Sequence, residues 1–243
     1  MSPDKSGRTG LERLQLADWR RRIGELYAQV REMSIADPAA AHACWREVRQ
    51  TLFRDHASSP VPADRRSEFR AIHFPYDAKL RFELPLLPGD EPQPTAGESG
   101  VGGLTLPISS GRPLGFDRIG WLDVPFASGS RRLALFWLPE YAGGLFLPFR
   151  DATNGRETYG GGRYLLDTAK GADLGGDVGA DPGGVWGGVW GGVWGGAASP
   201  ATVVADFNFA FQPSCAFDPR WSCPLSPLEN RLDLEIRAGE RIA

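Results

Sequence analysis

Hydrophobic positions change their period once along this chain. Leu14, Trp19, Ile23, Leu26, Val30 and Met33 recur at steps of three to five, a spacing that predicts an amphipathic helix. Thr9 followed by Glu12 supplies a capping box at its start. Asp37-Pro38 then opens a second helix, with a capping carboxylate ahead of a proline whose missing N–H costs nothing in a first turn. This helix runs through "AAAHACWREVRQTLFRDH" and stops before the serines and Pro60. Cys44, beside Trp45, reads as a small core residue.

Beyond the helices the period falls to two. In "KLRFELPLL", Leu80, Phe82, Leu84 and Leu86 share one face, and "GLTLPI" repeats the pattern. "RIGWLDVPF", "RRLALFWL", "GGLFLPF", "ETYGGGRYLLD", "TVVADFNFAF" and "NRLDLEIRA" complete a series of short strands divided by Gly, Pro, Asn and Asp turns. Helices come first and strands follow, without βαβ alternation. The predicted fold is mainly β, an antiparallel sandwich or partly open barrel with two N-terminal α-helices. Residues 1–60 form a helical segment packed on a β domain of residues 61–243.

One segment, residues 171–198, breaks the pattern with a repeated Val-Trp-Gly-Gly unit. A period of four suits neither a strand face nor a sustained helix, and glycine loses much entropy on ordering. It reads as a flexible insertion between strands, or as a tryptophan-bearing loop that docks a partner or a membrane surface.

Composition narrows the function classes. The chain has 243 residues, 42% of them hydrophobic, with 13 Phe and 8 Trp, enough for a substantial core. A net charge of −3 argues against general affinity for nucleic acid, and no apolar run reaches the length of a membrane span. The first residues lack the apolar stretch of a secretory signal, so the expected compartment is the cytoplasm, with reduced thiols. P-loop, dinucleotide-binding, GxSxG and HExxH motifs are missing, and no cofactor is expected.

Polar residues set within strand patterns are the candidates for chemistry. In "ADFNFAFQ", alternation places Phe207, Phe209 and Phe211 on one face and Asp206, Asn208 and Gln212 on the other. The preceding segments add Arg150, Asp151, Glu157, Tyr159 and Arg163. Convergent groups of this kind can bind a small molecule, with Arg163, Asp206 and Asn208 at the centre. They can equally form a buried polar network in a non-catalytic structural or interaction protein. The strands around Arg163 and Asp206 are expected to pair as a long-looped hairpin, bringing these two side chains together.

Cys215 and Cys223 sit in one proline-flanked loop, "PSCAFDPRWSCPL". A structural zinc needs four ligands, and this pair with no neighbouring His supplies half of them, so no metal is expected. Buried thiols and a loop-closing disulfide both remain open.

"FRDATNGRETYGGGRYL", "DFNFAFQPSCAFDPRWSCPLSPLENRL" and "IRAGER" together resemble a bacterial and archaeal family, domain of unknown function 1684. The resemblance is strong from Phe149 onward and looser through "HFPYDAKLRFEL". Phe209, Phe211, Gln212 and Ser226 depart from its pattern, and the loss of a tyrosine at Phe211 removes a phenol there. It implies no reaction. Cys215, Cys223, Glu229, Asn230 and Arg231 are assigned structural roles.

Overall fold

The computed structural model describes residues 9–88, 104–106, 114–139, 143–166, 171–177 and 200–242. Helix α1, Gly10–Ser34, starts from the expected capping box, with Thr9 and Glu12 each accepting the other's backbone N–H. Helix α2, Pro38–Asp55, starts at Asp37, whose carboxylate accepts from Ala39 and Ala40 N–H. The two helices pack together and lay Leu26, Tyr27, Val30, Ala41 and Trp45 against the β structure. No helix among the described residues is long and apolar enough to cross a membrane.

The largest sheet is an antiparallel meander of β3 (Leu104–Leu106), β4 (Leu114–Phe126), β5 (Gly129–Trp137), β6 (Leu145–Phe149) and β7 (Arg163–Leu166). Its order leaves β3 and β7 as open ends, so no barrel closes. Two smaller antiparallel pairs join it: β2 (Arg81–Pro85) with β8 (Thr202–Asp206), and β1 (Ile72–His73) with β9 (Glu240–Arg241). Leu87 bridges to Trp121 on β4, linking the β2–β8 pair to the meander. That crossing requires Gly120, because a Cβ there would sit 2.5 Å from the Leu87 carbonyl oxygen.

Both faces of the meander are covered. Phe116, Ala134, Phe136, Phe146 and Tyr164 meet the helices, whereas Leu122, Val124, Leu133, Leu135, Leu147 and Phe149 build a second core with Phe207 and Ile236. Alternation on β5 sends successive side chains into different cores, which is why its sequence reads as an unbroken apolar run.

Pro148 interrupts the ladder between β5 and β6. The register that pairs Phe136 with Phe146 would set Ala134 opposite Pro148, which has no N–H to give. The fully buried Asn230 carboxamide fills the gap. Its Oδ1 accepts Ala134 N–H at 2.7 Å, and its Nδ2 donates to the Ala134 and Pro148 carbonyls at 2.9 and 2.8 Å.

The structure corrects three expectations. The strand around Arg163 does not pair with that around Asp206: β7 lies beside β6 and β8 beside β2, and among the described residues a single isolated bridge, Tyr164–Phe211, links the two regions. Alternation also stops at Asp206, because its carboxylate caps a 3₁₀ turn over Phe207–Phe209 and buries all three residues. "NRLDLEIRA" alternates in burial but forms no regular strand; Arg150 N–H and C=O bond to Asn230 and Leu232, and Ala152 N–H to Leu234 C=O. Within residues 171–198, Gly171–Asp177 is packed. Ala172 and Leu174 are buried, and Val204 and Thr202 N–H donate to the Gly175 and Asp177 carbonyls. Residues 178–199, with the Val-Trp-Gly-Gly repeat, lie outside the described residues.

Asn230→Ala is expected to lower stability by about 3 kcal/mol or more, since it strands three buried backbone groups at once. The midpoint of urea unfolding measures this. A loss below about 1 kcal/mol would show that the gap closes without the carboxamide.

Candidate functional site

The polar residues singled out in the sequence separate into two neighbourhoods. Arg163 and Asp151 form one of them, both sealed from solvent, with 3.1 Å between Nη2 and Oδ1. Arg163 Nη1 also donates to the Ala238 and Glu240 carbonyls, and Nη2 to Ile236 O at 2.8 Å. These carbonyls belong to alternate residues of the C-terminal segment, which bends at Gly239 (φ 74°), so the guanidinium serves backbone that no neighbouring strand reaches. Asp151 Oδ2 completes it by accepting Ile236 N–H at 2.8 Å and the Thr153 hydroxyl at the same distance. Arg163 therefore meets Asp151, not Asp206, and most of its donors are spent on the chain itself.

The other motif residues nearby are similarly engaged. Arg150 donates to the Gly160 carbonyl, and Glu157 pairs with Arg237 at 3.0 Å near the surface. The Tyr159 hydroxyl donates to Cys215 Sγ at 3.8 Å, and burial pushes its pKa up to about 12, aided by that thiol. Cys215 N–H in turn donates to Cys223 Sγ at 3.2 Å. Glu229 lies 3.8 Å from Arg118, and the Arg231 side chain is exposed.

Asp206 and Asn208 belong to the second neighbourhood. The Asn208 carboxamide grips Asp77, accepting its N–H at 2.8 Å and donating to its carbonyl at 2.9 Å. Asp206 Oδ1 accepts both the backbone and side-chain N–H of Asn208. Its Oδ2 is buried without a hydrogen bond, with Arg81 Nε at 3.8 Å. Tyr76 lies close enough to feel its charge, and His42 from α2 packs against Tyr76 and against His73 from β1. The His42 ring centroid is 6.1 Å from that of His73, 5.4 Å from Tyr76 and 5.1 Å from Phe209. His73 Nε2 lies 3.9 Å from Glu240 Oε1 on β9, and Arg49 Nη2 lies 3.1 Å from the same oxygen.

These side chains share an uncommon property. His42 is 2% exposed, the His73 side chain 2%, Asp206 1% and Glu240 1%. Yet His42 Nε2, both His73 ring nitrogens, Asp206 Oδ2 and Glu240 Oε1 have no hydrogen-bond partner among the described residues. Burying such a group unpaired costs on the order of 1–3 kcal/mol. Trp121 Nε1, Arg163 Nε and Arg241 Nε are also buried without a hydrogen bond, but the histidine and carboxylate atoms in that condition gather under α2.

Electrostatics point the same way. Burial, reinforced by the nearby charge of Arg46, holds the His42 pKa down to about 4 and the His73 pKa to about 3. Burial raises Asp206 to about 6 and Tyr76 to about 12, and it also raises Glu240 against the pull of Arg49. No group of His, Cys, Asp and Glu among the described residues is arranged to hold a metal ion.

Sequence reasoning missed His42, Arg49, His73, Tyr76 and Glu240. The available signal lay on α2, where His42 and Arg49 occupy the same stripe as Trp45, Leu52 and Phe53. A titratable residue on an apolar stripe has to be buried, and Arg49 accordingly stacks over Trp45, Phe53 and Phe211.

A double-mutant cycle separates the two neighbourhoods. Arg163→Met with Asp151→Asn is expected to be non-additive by more than about 1 kcal/mol. Arg163→Met with Asp206→Asn should add within about 0.5 kcal/mol. Coupling to Asp206 instead, read from chemical denaturation, would reverse the assignment.

The architecture recurs in a solved structure. The solution NMR structure of an uncharacterised protein from Haloarcula marismortui superposes with a TM-score of 0.56 at 26% identity, covering 87% of this chain and 97% of that one. No curated protein matches the chain. The family model described as "Protein of unknown function (DUF1684)" matches residues 67–241, the region that carries the Arg163 network, Asn230 and the groups facing α2. The chain belongs to that family.

Proposed function

We propose that this protein binds a small molecule where α2 meets β1, β9 and the turn after β8, using His42, His73, Tyr76, Asp206 and Glu240. The observation that supports this reading is that buried histidine and carboxylate atoms without a hydrogen bond come from four separate segments, the carboxylates facing Arg49 and Arg81. A ligand supplying complementary donors and acceptors would remove penalties that the empty protein bears, and that difference is binding free energy. Of the residues the sequence suggested, this reading uses Asp206, while the Asn208 carboxamide is engaged with Asp77 and Asp206. The roles of Arg163 and Asp151 are structural in this reading, because their polar atoms already serve the C-terminal backbone.

The second reading, a non-catalytic protein held together by buried polar contacts, draws support from that same Arg163 network. The two readings divide the molecule between them, one for each neighbourhood.

A thermal-shift screen of small polar metabolites, repeated on His73→Gln and Asp206→Asn, tests the proposal. A compound that raises the melting temperature of the parent in a concentration-dependent way and loses its effect in both variants supports it. Stabilisation that survives both substitutions, or no stabilising compound at all, overturns it.

The protonation states give a separate check. Folded His42 and His73 hold their pKa values below the ordinary 6.5, so below that pH the unfolded chain binds protons that the folded chain refuses. Stability should fall as pH drops from 7 to 5, by on the order of 2 kcal/mol per imidazole. Asp206 acts in the opposite sense between its ordinary 3.8 and about 6, offsetting part of the loss. Imidazole nitrogen resonances should remain those of neutral rings at pH 5, and a titration midpoint near 6.5 would show the rings to be solvated.

A further inference from the structure

The loop from Pro213 to Pro224 contains a second, chemically distinct centre. It is folded by successive turns, with Ala216, Phe217 and Trp221 N–H donating to the Pro213, Ser214 and Asp218 carbonyls. It is also tied to the chain after α2: Trp221 Nε1 donates to the Pro60 carbonyl at 3.0 Å, and Arg65 to that of Phe217 at 2.6 Å. Within it, Cys215 is half-buried and Cys223 is 7% exposed.

Covalent geometry keeps the Cys215 sulfur within about 4 Å of its own amide nitrogen. That nitrogen lies 3.2 Å from Cys223 Sγ, so the two sulfurs lie within about 7 Å of each other. The sulfurs are also differently placed. The Tyr159 hydroxyl donates to Cys215 Sγ, and the Cys215 N–H donates to Cys223 Sγ. Each contact favours the thiolate form of the sulfur that accepts it.

We propose that Cys215 and Cys223 form a reversible thiol–disulfide site that reacts with hydroperoxides, with Cys215 as the attacking sulfur and Cys223 as the resolving one. The Cys215 thiolate attacks the terminal peroxide oxygen. The O–O bond breaks, the leaving oxygen takes a proton and departs as water or alcohol, and Cys215 becomes a sulfenic acid. Cys223 Sγ then attacks the Cys215 sulfur, displacing hydroxide, which leaves as water with the Cys223 proton. With hydrogen peroxide, two thiols and one peroxide yield one disulfide and two waters. Tyr159 acts as a positioning residue. This reaction is independent of ligand binding under α2.

The test treats the native protein with hydrogen peroxide, alkylates the remaining thiols and maps the peptides by mass spectrometry. The expected product is a Cys215–Cys223 linkage two hydrogens lighter than the dithiol, with Cys44 alkylated and dithiothreitol restoring the starting mass. The melting temperature of the oxidised protein should rise by about 5 °C, because closing the loop restricts the unfolded chain. In Cys223→Ser, the Cys215 sulfenic acid should persist and be trapped by dimedone. Tyr159→Phe should slow peroxide-driven thiol loss severalfold in the native state and leave the rate in denaturant unchanged. Alkylation of both loop cysteines after peroxide, prior oxidation of Cys44, or linkage only in denaturant would each overturn the proposal.

Discussion

Sealed between β7 and the C-terminal chain, the Arg163 guanidinium performs the task of a missing strand. Three alternate carbonyls and one carboxylate depend on it, and Asp151 accepts the intervening Ile236 N–H. Taking an ion pair out of water is expensive, and such a pair often contributes little net stability. Its value here lies in specificity. The segment before β9 is held where its carbonyls meet the fork, and that placement also sets Glu240 under α2.

The same device recurs across the fold. Asn230 repairs the ladder that Pro148 breaks, and Asn208 grips both backbone polar groups of Asp77. Gln50 does likewise on α2, donating to the Phe69 carbonyl and accepting Ala71 N–H. Side-chain amides imitate a peptide group, presenting one donor and one acceptor in a plane. A protein with short strands and long connections can satisfy its interior backbone in this way where strands do not reach.

This explains which parts were legible in the sequence. Helix α1 and α2 were readable because caps and apolar stripes are local, β4 because alternation is local, and β5 because it is a short apolar run bounded by turn residues. Phe207, Asn208 and Phe209 were not, since their alternation yields to the Asp206 cap and turns into a 3₁₀ helix. Arg163 and Asp206 looked like partners because a sequence shows residue types and not what they bond to. Both are buried, but Arg163 serves the main chain while one Asp206 oxygen makes no hydrogen bond. His42 and His73, some thirty residues apart and on different elements, converge only through tertiary packing.

The Asn230 carboxamide also bears on the order in which the molecule assembles. Ala134 and Pro148 belong to the middle of the meander, yet their hydrogen bonds wait for a residue 82 positions beyond Pro148. Pairing β5 with β6 before that segment arrives leaves buried backbone groups unmatched, so the meander gains little by closing early. Contacts of such long sequence separation slow the search for the native topology. On a ribosome, strands β4 to β6 would emerge and then stay provisional until Asn230 had followed them, leaving apolar edges open for chaperones in the interval.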